Sequence, residues 1–177
     1  GVTALCGALI PALQKMGVAC QAAAIDLGAG YRGYADWRGG YDGRGKGTSD
    51  YVPVLYRIPT ARWSDETTKK MAEVYPNSGT DIMCYAQAAW DMLRESRATH
   101  RVGFYLTDGA DSDSYPYLAS IEEQAAREGI ILVGVAFGFH AHRIAPHLPP
   151  RSISAESAEE LGTKLVPHLT AVIKRGV

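Results

Sequence analysis

Arg101-Val102-Gly103-Phe104-Tyr105-Leu106-Thr107-Asp108-Gly109 is the stretch on which the fold reading turns. The segment Arg101 to Leu106 is mostly apolar and strand-favouring, and it stops on a hydroxyl, a carboxylate and a glycine. Such a run predicts a buried strand, with Asp108 at its carboxyl end. Open α/β sheets place their ligands beyond the carboxyl ends of their strands. A second apolar run, Ile130 to Phe137, is bounded by Gly129 and Gly138 and carries no charge. It predicts an interior parallel strand covered on both faces.

Working outward, helical spacing fills the intervals. Tyr117 to Glu128 predicts a helix burying Leu118, Ile121 and Ala125 between the two runs. Asp81 to Glu95 predicts another, with Ile82, Ala86, Ala89 and Leu93 on one face. After the second run come a short strand, Arg151 to Ser154, and a last helix carrying Leu161, Leu165, Leu169 and Val172. Ser154 or Ser157 is positioned to cap that helix. Toward the amino end, Val2 to Met16 predicts a helix kinked at Pro11 and ended by Gly17. Val18 to Leu27 and Tyr51 to Ile58 predict strands, the latter at an edge because Pro53 cannot donate to a ladder. A short helix is expected over Asp65 to Glu73. Gly28 to Asp50 has no period and is rich in Gly, Tyr and Arg, so it reads as a loop insertion. The alternation predicts a three-layer α/β fold, a mostly parallel sheet with helices on both faces, formed as a single domain over residues 1–177.

Bulk properties narrow the function. A net charge of −1 argues against nucleic acid and anionic membrane as partners. No apolar run is long enough to span a bilayer, and Val2 to Met16 lacks the basic leader of a signal peptide. Cys6, Cys20 and Cys84 are scattered and form no CxxC pair, which fits buried, reduced thiols in a cytoplasmic protein.

Candidate ligands follow from chemistry. Thr80, in Asn77-Ser78-Gly79-Thr80-Asp81, and Asp108 offer a hydroxyl and a carboxylate on two loops, hard oxygens of the kind Mg²⁺ prefers. Asp111 and Asp113 read as solvated loop acids. His140, His142 and His147 do not have the spacing of a zinc motif. Tyr31, Arg32, Tyr34, Trp37, Arg38, Tyr41 and Arg44 could stack on single-stranded nucleic acid. Asp36 and Asp42 dilute that patch, so packing against the domain or a partner protein is the preferred reading. There is neither a P-loop nor a Gly-x-Ser-x-Gly elbow. A small hydrolase using Asp108 as its acid would lack a nucleophile.

Taken in order, several stretches resemble a von Willebrand factor A domain, and most nearly the C-terminal domain of the CobT subunit of aerobic cobaltochelatase. They are Gly17-Val18, Trp37-Arg38-Gly39-Gly40, Leu55-Tyr56-Arg57, Arg62-Trp63, Thr107-Asp108-Gly109-Ala110, Gly134-Val135-Ala136-Phe137-Gly138 with His140, and Ser154 to Leu161. The resemblance implies a metal held by three loops, with Thr80 and Asp108 on the second and third. The first loop carries Asp-x-Ser-x-Ser after a central first strand, and both are absent from these residues, so the domain reads as N-terminally incomplete. Asp26-Leu27-Gly28-Ala29-Gly30 copies the spacing but has glycines where hydroxyls are required. The implied role is that of a coupling subunit without its own active site. Its partners would be an AAA+ ATPase and the chelatase protein that inserts metal into a tetrapyrrole during cobalamin biosynthesis. The alternative is an A-domain adaptor of another AAA+ machine.

Overall fold

The computed structural model describes residues 2–15, 17–26, 54–58, 64–73, 82–108 and 115–175. The chain divides into two compact units, Gly1–Gly79 and Thr80–Val177.

In the first unit, α1 (Val2–Lys15) is followed by β1 (Ala22–Asp26), β2 (Val54–Ile58) and α2 (Asp65–Glu73). Pro11 lies inside α1. The helix ends on Gly17, whose φ of 80° is open to glycine and costly for other residues. The Gly17 N–H donates to the Gln14 carbonyl and the Val18 N–H to that of Leu13, so carbonyls of the last turn are satisfied in a Schellman pattern. Ser64 caps α2 by accepting from the Thr67 N–H at 3.3 Å. β1 and β2 pair antiparallel, Ala22 opposite Ile58 and Asp26 opposite Val54.

In the second unit, α3 (Ile82–Arg94), β3 (Arg101–Thr107), α4 (Tyr115–Arg127), β4 (Ile130–Phe137), α5 (Ala141–Ile144) with a 3-10 turn (Ala145–His147), β5 (Ile153–Ala155) and α6 (Ala158–Arg175) follow one another. The sheet order is β3-β4-β5, all parallel, with Arg101 opposite Ile130 and Val135 opposite Ile153. α3 packs on β3 and β4, α4 on β4, and α6 on β5. Successive strand residues face opposite sides, so the unbroken burial of Ile130 through Ala136 means that both faces of β4 are covered. Ile82, Leu118, Ile121, Leu132, Val133, Leu161 and Leu165 make up much of this core.

The amino end of the parallel sheet is clamped. Glu128, just before β4, accepts from Trp90 Nε1 at 3.0 Å and from Arg94 Nε at 2.7 Å. The Arg94 guanidinium lies 3.9 Å over the Trp90 ring, and Arg101 donates to the Glu128 carbonyl. These contacts tie α3, β3 and the end of α4 together at one point.

Two corrections concern the sheet. The four longer strands were expected in one mostly parallel sheet; among the described residues they form two ladders, one antiparallel and one parallel. Local apolar pattern identifies a strand but not its partner, which tertiary neighbours decide. The first strand is also shorter than Val18–Leu27: residues 18–21 stand outside it, and Val18 is exposed. Alanine and cysteine there give little to pack on a pleated surface. The expected loop insertion over 28–50, and Pro53, lie outside the described residues.

Candidate functional site at the carboxyl edge of the parallel sheet

The register of the three parallel strands aligns their carboxyl ends. Thr107 lies opposite Ala136, and Phe137 opposite Ala155. Asp108 follows β3 directly and is exposed, as its position in the sequence implied, while Thr107 before it is buried. After β4 the chain turns on Gly138, whose φ of 101° is again a glycine conformation. The Gly138 N–H donates to the Ala155 carbonyl at 3.0 Å, joining the ends of β4 and β5. The turn leaves Phe139 82% exposed, with the His140 ring edge-on at 5.1 Å. After β5, a Glu156 carboxylate oxygen lies 3.6 Å from His142 Nδ1. His147 stacks on Tyr115 at the start of α4, the ring centroids 5.9 Å apart.

The structure thus gives each of the three histidines a separate neighbour. Among the described residues no group of three or more His, Cys, Asp or Glu side chains is placed to hold a metal. Thr80, Asp111 and Asp113 lie outside the described residues. Asp108 is therefore the one described member of the Thr80/Asp108 pair. Its carboxylate is a hard oxygen donor at an exposed strand end.

One polar arrangement is absent from the sequence reading. Glu122 is only 6% exposed, and its Oε1 accepts the Tyr105 hydroxyl at 2.6 Å. Leu118, Ile121, Glu122 and Ala125 occupy one helical stripe, so the spacing alone puts Glu122 on the apolar face of α4. Burial raises the Glu122 carboxyl to about 7; the Tyr105 hydrogen bond and the positive charge of Arg151 oppose that rise. Burial also raises the Tyr105 hydroxyl, and Glu122 adds to the effect. Gly134, opposite Tyr105 in the register, leaves the room this cluster occupies. A Cβ at that position would lie 2.7 Å from Ser152 Oγ and 2.9 Å from Tyr105 Oη.

Burial pushes the Cys6 thiol up to about 11, which leaves little thiolate at neutral pH. A groove of about 570 Å³ runs between β5 and α6, past Ser152, Ser154, Thr163, Lys164 and His168. Lys164 Nζ is engaged there with the Ser154 carbonyl at 2.8 Å and with Glu160.

No family model, no curated protein and no solved structure matches the chain. The fold itself defines the class: an α/β protein with a parallel three-stranded sheet and packed helices. No described helix is long and apolar enough to cross a membrane.

Proposed function

We propose that this chain is a von Willebrand factor A-like, metal-dependent protein-interaction domain that couples an AAA+ ATPase to a partner machine. The observation that carries the reading is Asp108, an exposed carboxylate at the carboxyl end of a parallel strand, level with the ends of β4 and β5. Asp108 and Thr80 would hold Mg²⁺, and an Asp or Glu of the partner would complete its octahedron. The sequence resemblance narrows the partner to the ATPase of a cobaltochelatase and the role to that of a CobT-like subunit in cobalamin biosynthesis. The alternative, an adaptor for another AAA+ machine, uses the same carboxylate.

The test is a pull-down of AAA+ ATPase from an extract, with Mg²⁺ in one arm and EDTA in the other. Recovery in the Mg²⁺ arm alone, lost in Asp108→Ala, supports the reading. Loss of one charged ligand from a desolvated contact costs several kcal/mol, about 2–5. Thr80→Ala weakens binding less, because water replaces a neutral oxygen more readily. Equal recovery in both arms, or full binding by Asp108→Ala, removes the metal bridge.

A further inference from the structure

Among the described residues β5 is the outer strand of the parallel sheet, with β4 on one side and the groove of about 570 Å³ on the other. Its backbone groups can be followed one by one. In a parallel ladder the N–H and C=O of one residue point to the same neighbouring strand, and those of the next residue point away from it. The Ala155 carbonyl accepts from the Gly138 N–H, so Ala155 and Ile153 face β4, and the peptide groups between them turn outward. Three groups along this edge are satisfied locally. The Ser152 N–H donates to the Pro149 carbonyl at 2.9 Å, and the Ser154 carbonyl accepts from Lys164 Nζ at 2.8 Å. The Glu156 N–H donates to Glu160 Oε2 at 2.7 Å. Two groups remain, the Ser152 carbonyl and the Ser154 N–H, and neither makes a hydrogen bond within the chain.

These two groups stand on either side of Ile153. One residue of an extended chain running parallel to β5 meets both: its N–H donates to the Ser152 carbonyl, and its carbonyl accepts from the Ser154 N–H. The opposite wall of the groove is one face of α6, formed by Thr163, Lys164, Pro167 and His168. Pro167 has no N–H, so the Thr163 carbonyl on that wall lacks its usual helical donor. We infer that the groove between β5 and α6 docks a short extended peptide segment of a partner protein, added to the sheet edge as one more strand. Main-chain bonds give such additions their affinity, and the flanking wall gives them their specificity. A donor and an acceptor at strand spacing match a peptide backbone, and the Thr163 carbonyl suits a peptide side chain that carries an N–H or O–H. Lys164 over the Ser154 carbonyl and Glu160 on the Glu156 N–H end the pairing at its carboxyl side. The edge thus admits a short segment and not an open-ended sheet. β4 separates this edge from the strand that carries Asp108, and no metal is needed, so the site stands or falls apart from the proposed metal bridge.

The probe is a random heptapeptide library displayed on phage and selected against the full chain with EDTA present. Enriched peptides are expected, and a synthetic copy should move the amide resonances of Ile153 and Ser154. In the free chain the Ser154 N–H should exchange faster than those of Ile153 and Ala155, and the peptide should slow it. Ser154→Pro deletes that N–H. Because the group points away from β4, the ladder is kept, as for proline on other edge strands. Peptide affinity should fall roughly tenfold or more, since the peptide carbonyl is left without its donor. Thr163→Trp fills the groove from an exposed position on α6 and should abolish binding, which keeps the test decisive if Ser154→Pro does not fold. A selection that enriches no peptide, or peptides that bind both variants as they bind the parent, overturns the site. So does a Ser154 N–H that exchanges as slowly in the free chain as that of Ile153.

Discussion

Gly134→Ala tests the packing of the second unit most directly. The new Cβ would meet Ser152 Oγ at 2.7 Å, Tyr105 Oη at 2.9 Å and Tyr105 Cε2 at 3.1 Å. The serine hydroxyl is one torsion from relief. The tyrosine is not, because its ring is buried and its hydroxyl is held by Glu122. Overpacking a core by one methyl costs about 1–3 kcal/mol, and pulling Tyr105 from Glu122 strips a buried carboxylate of its donor, a further cost of similar size. The lost backbone freedom of the unfolded chain returns about 0.5–1 kcal/mol. The net expectation is a destabilisation of about 3 kcal/mol, or a melting shift of roughly 6–12 °C downward. The slowest-exchanging amides of β3 and β4 report this without mixing in the first unit. Ser152→Ala in the same background removes the closest atom and should recover part of the loss. A Gly134→Ala chain with unchanged or greater protection, or no rescue by Ser152→Ala, would refute the argument.

Gly162→Ala, in α6 with nothing within 4 Å of the new methyl, should stabilise the chain by up to about 1 kcal/mol in urea denaturation. Ser157→Ala should destabilise α6 by about 1 kcal/mol, since Ser157 Oγ accepts the Glu160 N–H at 3.1 Å; loss of helicity on mild heating would show it. Hydrogen bonds from Arg94 hold the Glu128 carboxyl down at about 2, so this contribution is present above pH 4.5 and disappears as pH falls through 2; Arg94→Lys, which cannot make the forked contact, should raise the Glu128 midpoint in a carboxyl titration. The Glu122 carboxyl acts in the opposite direction, and the gap between about 7 and 4.5 corresponds to roughly 3 kcal/mol lost between acid and alkaline conditions; a parent chain more stable at pH 8 than at pH 5 would contradict it.

The sequence was most legible where period and punctuation agreed. Ile130–Phe137 and Asp65–Glu73 have the bounds expected from their flanking glycines and acidic start. Of the two serines offered as caps for α6, the structure uses Ser157. Tyr115 and Pro116 extend α4 toward its amino end because proline fits the first helical turn, a signal available in the sequence. Strand partnership was not legible, since Ala22–Asp26 has no feature that specifies an antiparallel neighbour. Asp108 was placed by the strand that precedes it, whereas Thr80 lies outside the described residues. Glu122 was overlooked because a charged residue in an apolar stripe is usually assigned to its rim.

The two ends of the parallel sheet differ in a way that bears on how such a protein can change. At the amino end, Trp90, Arg94, Arg101 and Glu128 form one interlocked knot, in which altering any member disturbs the others. At the carboxyl end, Asp108 directly after β3 and Phe139 and His140 in the turn after β4 are exposed. Substitutions there can alter what the surface recognises while the knot and the covered β4 keep the scaffold intact. Innovation and stability are thus assigned to opposite poles of the same three strands, and variation in binding should be tolerated at only one of them.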